Sequence, residues 1–274
     1  MYRDLLVHVD GSKAGRRRVD FAAELANRLG ARLTGLHVTP PPEVPPRFKP
    51  SLVGAVADDI SAHLALDAQA AGDAFKVALT CLPDASWVEA AGDVADGISA
   101  RARYADLVVL GQYEWQGPSE VHPLPIAHTV VMRCGRPVLV VPAAIAAGYV
   151  LSKVAIAWDG SREAVRAVHD ALPLLRMAHV VEVMTMIGRS VKPDDFDAKS
   201  LSAHLANHGI KATGDAVRVV TDDEPATLQD RIDGGKYHLL VMGAYSRPRW
   251  EEFIFGGATR SILLSSKIPI LISH

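Results

Sequence analysis

The chain has 274 residues, 49% of them hydrophobic and 22% charged, with a formal net charge of −2. That length accommodates two ordinary domains of a soluble globular protein, and the near-neutral balance argues against nucleic acid or an anionic membrane as a partner. Two cysteines, Cys81 and Cys134, are too few for a stapled secreted scaffold, and the eleven histidines show no zinc-like spacing.

The chain opens at Met1 and runs at once into an apolar segment, which leaves no room for a signal peptide and predicts a cytoplasmic protein. Leu5-Leu6-Val7-His8-Val9 reads as a buried parallel strand ending in Asp10-Gly11-Ser12. Val19, Ala22, Ala23, Ala26 and Leu29 then recur at helical spacing, and Arg16-Arg17-Arg18 is read as the solvated face of that helix. Further strands are expected at 32–38, 86–90, 107–110 and 138–141, with helices at 57–79, 94–103 and 126–133. The proline-rich run Pro40-Pro41-Pro42-Glu43-Val44-Pro45-Pro46 is neither helix nor central strand and predicts a crossing that becomes flexible. The stretch 137–151 is too short to span a membrane and is broken by Pro142 and Gly148.

After a linker at 143–152 the order repeats. Val154-Ala155-Ile156-Ala157-Trp158 leads into Asp159-Gly160-Ser161, where Ser161 and Glu163 suit a helix start. Strands are expected at 180–186, 216–220, 239–242 and 270–272, and helices at 196–207, 225–233 and 258–266. The fold class expected is α/β: two doubly wound, open, parallel five-stranded sheets with helices on both faces, related by a pseudo-two-fold. Domains are expected at 1–145 and 150–274, with their fifth strands adjacent.

The repeat is ungapped over its last third. Leu107-Val108-Val109-Leu110-Gly111 matches Leu239-Leu240-Val241-Met242-Gly243, and Pro137 matches Pro269, both at an offset of 132 (243 − 111 and 269 − 137). In that register Gly256-Gly257 faces Leu124-Pro125. A glycine pair lets backbone N–H groups turn toward an anion, whereas Leu-Pro adds bulk and removes a donor.

These features, in this order and twice over, resemble a tandem universal stress protein, two fused domains covering essentially the whole chain. The resemblance implies an adenine-nucleotide-binding-like doubly wound fold. It also implies the pattern Gly-x2-Gly-x9-Gly-Ser/Thr after the fourth strand, which falls here on Gly243, Ser246, Gly256 and Gly257. Ser246 and Gly257 depart from it. In the first half Gly111, Glu114, Leu124 and Pro125 occupy those positions, three of them failing, so that half is read as non-binding. Asp159 is implied on the adenine side, with the chain at Met184–Met186 lining the base. The implied ligand is ATP, ADP or AMP, with or without Mg, acting in a stress response.

The residues support the second site independently. Ligands of open parallel sheets bind beyond the carboxyl ends of the strands where chain order reverses, and Asp159 and Gly243 would both end there. Gly256-Gly257 precede a helix whose N-terminal amides and dipole favour an anion, Thr259 adds a hydroxyl and Arg260 a cation. Plainer readings stand beside these. The glycine pair is a tight loop, Arg260 pairs with Glu251 or Glu252, Asp10 and Asp159 open helices, and Trp158 is core. Trp250 and Phe253 cover a site or pack against a partner, His8 and His37 are structural, and Cys134 is a small core residue.

No nucleophile elbow, P-loop or pyrophosphatase loop is present, and no metal-ligand and base pairing is found, so at most a very slow ATPase is expected. A nucleotide-free interaction module is the alternative. Protein partners and a homodimer are left open.

Overall fold

The computed structural model describes the chain except residues 45–49, 83, 114–125, 188–197, 219–223 and 245–257. In the first half, β1 (Asp4–His8), β2 (Arg32–Thr39), β3 (Ser86–Ala91), β4 (Leu107–Gly111) and β5 (Val138–Val141) alternate with α1 (Lys13–Leu29), α2 (Val53–Cys81), α3 (Val94–Ala102) and α4 (Ile126–Cys134). In the second half, β6 (Lys153–Trp158), β7 (Val180–Ile187), β8 (Ala212–Arg218), β9 (Leu239–Gly243) and β10 (Ile270–Ser273) alternate with α5 (Arg162–Leu175), α6 (Ala198–Asn207), α7 (Glu224–Gly235) and α8 (Ala258–Ser265).

Each half is a parallel sheet in the order third, second, first, fourth, fifth strand. The two sheets join edge to edge, giving ten strands in the order β3-β2-β1-β4-β5-β10-β9-β6-β7-β8. The seam is the one antiparallel pair among the described residues, with Val138 opposite Ile272, Leu139 opposite Leu271 and Val140 opposite Ile270. All four residues of β5 and all four of β10 are buried, so the adjacency expected of the fifth strands is met by direct hydrogen bonding.

Alternation along the strands feeds two cores. Leu5 and Val7 of β1 join a cluster with α1, α2, α5 and α6, while Leu6 joins a second with α3, α4, α7 and α8. Both clusters run across the seam, which makes one three-layer body of the two halves.

Two boundaries differ from expectation. Helix α2 begins at Val53, several residues early, and its N-cap position is Leu52, which makes no side-chain capping bond. Strand β8 begins at Ala212 rather than 216, because parallel pairing with β7, from Val181–Ala212 to Ile187–Arg218, draws in its polar start. Pro45 and Pro46 of the proline-rich crossing lie outside the described residues.

Candidate functional site

In each sheet the chain order reverses between the first and fourth strands, β1 and β4 or β6 and β9. At the second reversal, Asp159 follows the last residue of β6 and Gly243 is the last residue of β9. Ile156 lies opposite Val241, so continuing that register brings Trp158 beside Gly243 and Asp159 to the same edge. Helix α8 runs back from β9 to the parallel strand β10, which puts its N-terminus at this edge as well.

Asp159 shapes the entry to α5. Its Oδ1 accepts from the Ser161 amide at 3.0 Å and the Ser161 hydroxyl at 2.6 Å, and Ser161 Oγ caps the helix by accepting from the Ala164 amide at 3.1 Å. Gly243 has a packing reason to be glycine. A Cβ there would stand 2.6 Å from Ala164 N and 2.7 Å from the Glu163 carbonyl carbon, both backbone atoms of α5. Glu163 is buried and paired with the exposed Arg162. Thr259 is buried in the first turn of α8 and Arg260, beside it, is half-buried.

Met184 is fully buried in the core, so its side chain is not open to a base. Met186 belongs to β7. Ser246, Gly256 and Gly257 lie outside the described residues, as do Glu251, Glu252, Trp250 and Phe253. Trp158 packs, partly buried, against the core. Among the described residues no group of three or more His, Cys, Asp or Glu is arranged to hold a metal ion.

The corresponding edge of the first half is built differently. Arg18 of α1 is only 5% exposed. Its Nε donates to the His8 carbonyl at 2.7 Å, and Nη2 to Asp10 Oδ2 at 2.6 Å. Its Nη1 lies so close to Gly111 that a Cβ there would be 1.9 Å away. From the other side, the Asp67 carboxylate of α2 accepts the Gly11 amide at 2.9 Å. The guanidinium therefore fills the space between the ends of β1 and β4, and one of the loop amides is already used. Arg16 and Arg17 are exposed as expected of a solvated face, and the reading is corrected for Arg18 alone. Three successive helical residues fan over about 200°, so they need not share one face. The signal available in the sequence was Gly15, one turn earlier on the same buried face.

Charges in this cluster are strongly biased. Burial, with Arg18 adding to it, pushes the His8 imidazole down to about 3. For Asp10, burial acts upward and is the largest single influence, but Arg18 and the Ser12 hydroxyl and amide together hold it at about 2. His37 is buried, with Nδ1 donating to the Val9 carbonyl at 2.9 Å and Nε2 without a partner among the described residues. Cys134 is buried and its thiol is shifted upward by desolvation, as suits a core residue.

The sequence profile of the universal stress protein family matches residues 1–142 and again 151–274. The chain belongs to the universal stress protein family. A universal stress protein of Archaeoglobus fulgidus DSM 4304 shares 14% identity over 98% of this chain and 95% of its own, with a TM-score of 0.74. A protein of unknown function from Pseudomonas aeruginosa PAO1 shares 13% identity over 99% of this chain and 92% of its own, at a TM-score of 0.57. At such identities the likeness is one of fold. No curated protein matches the sequence. Within this tandem universal stress protein, the two copies of the strand-end site have diverged: Arg18 corresponds to Ala167 at the offset that relates Asp10 to Asp159 (167 − 18 = 159 − 10 = 149).

Proposed function

We propose that the second half binds an adenine nucleotide (ATP, ADP or AMP) at the carboxyl edge of β6 and β9, as a regulatory ligand in a cytoplasmic stress response. One observation carries the reading. Of two homologous strand ends, the first is sealed by its own guanidinium and the second has an alanine in that place. Asp159 and Gly243 stand at the strand ends of the reversal point, and α8 starts on the same side of the sheet, where open parallel sheets take their ligands, which supports the reading. In this reading Asp159 faces the adenosine, the β7 main chain borders the base, and the amides at Gly256-Gly257 with Thr259 and Arg260 receive phosphate, as anions at helix N-termini are received.

Thermal unfolding with and without each nucleotide tests it. Ligand at one hundred times its dissociation constant adds about 2.7 kcal/mol of stability. Replacing Gly256→Leu together with Gly257→Pro, the residues of the first half, is expected to remove that shift. The absence of a shift with all three nucleotides would leave the nucleotide-free interaction module as the better reading.

A further inference from the structure

Gln112 follows the last residue of β4, and its amide donates to the Val141 carbonyl at the end of β5 at 2.8 Å. Its carboxamide crosses the seam. Nε2 donates to the Leu263 carbonyl at 3.1 Å and to the Ser266 carbonyl at 2.9 Å. These carbonyls stand at the C-terminal end of α8, where the last acceptors of a helix have no amide ahead of them to receive. The Ser266 amide closes back on Ile262 at 3.0 Å, and Gln112 serves the acceptor that follows.

The second half reaches the end of α4 by a different route, with Arg166 Nη2 of α5 donating to the Gly135 carbonyl at 3.0 Å. By the offset of 132, the second-half counterpart of Gln112 is Ala244 (244 − 112 = 132), fully buried and without a side-chain donor. The grip on α8 is the one made by a single carboxamide donating to two carbonyls at the helix end. We propose that Gln112 is a positioning residue through which the first half sets the affinity of the second half's ligand helix. The inference rests on the reading above, in which the N-terminus of α8 takes the nucleotide phosphates. An eight-residue helix is about 12 Å long and moves as a rod, so a grip at its C-terminal end fixes the direction of its N-terminal amides. The anchor itself is firm, because Gly111, next in the chain, is wedged against the buried Arg18.

Gln112→Glu keeps the shape and replaces the donors with a carboxylate facing two carbonyls. Titrating AMP, ADP and ATP at pH 8 by calorimetry is expected to show about a tenfold loss of affinity, a coupling of ordinary size. Hydrogen exchange along α8 without nucleotide should quicken to a similar degree. Acidification, which returns one donor to the introduced carboxyl, should recover part of the affinity relative to wild type at the same pH, which a merely structural defect would not do. Should that variant fail to fold, Gln112→Met, neutral and of similar length, gives the same comparison. Wild-type affinity in a variant of either kind overturns the inference while leaving the nucleotide site standing, whatever its exchange. A wild-type protein that binds none of the three nucleotides overturns the site and the inference with it.

Discussion

His8 and Asp10 are held by the same arginine, and both make the fold acid-sensitive, though in different pH windows. An unfolded histidine protonates near 6.5, whereas folded His8 resists until about 3. The unfolded chain therefore takes up the proton first as pH falls. The stabilising difference is complete above 6.5 and is lost progressively toward 3. Asp10, held at about 2, adds a loss confined to the range below 3.8. Urea unfolding at pH 7, 6, 5 and 4 should show declining stability, with His8 contributing at most ~1.4 kcal/mol per pH unit, the limit for one proton. His8→Gln should flatten that decline between pH 6 and 4, and a decline unchanged in the variant would assign it to other groups. Arg18, which sets these environments, was not legible as a buried residue. A run of three arginines has the same composition whether or not one of them finds a carboxylate at 2.6 Å across the loop.

Helix α5 and strand β9 meet with no spare space at Gly243. The atoms a Cβ would strike, Ala164 N and the Glu163 carbonyl carbon, are backbone and cannot rotate away. Gly243→Ala should therefore push back the start of α5, with the Ser161 cap and the Asp159 turn attached to it. A cost of about 1–3 kcal/mol is expected, the usual penalty of overpacking, read as a lower urea midpoint at unchanged slope. A midpoint equal to wild type would show that α5 can slide. Elements of this kind were largely legible, because their signals are local: Ser12 and Ser161 both cap helices, and the apolar periods mark the buried faces. Helix α2 started early because Leu52 gives no capping signal to read, and β8 started early because pairing with β7, not its own sequence, sets where an edge strand begins.

The whole molecule depends on β5 and β10, whose eight residues are all buried between the two cores. Cutting the linker without removing the seam should leave two pieces that find each other. Residues 1–145 and 150–274, produced separately and mixed, are expected to elute as a one-to-one complex in size exclusion with light scattering. Leu271→Lys in the second piece should prevent this, since Leu271 faces Leu139 in an apolar seam and a charge there has no partner. Soluble monomeric pieces that ignore each other would show that the seam contributes little. No described helix is long and apolar enough to cross a membrane. The sequence by itself determined the two-fold repetition and the alternation of strand and helix. Those features are periodic, and a period is visible without coordinates. Only the tertiary structure decided that Arg18 closes the first edge, that Gly243 is held by α5, and that Gln112 reaches across to α8. Each of these joins atoms far apart in the chain or on separate elements, and no pattern along the sequence records which neighbours folding will bring together.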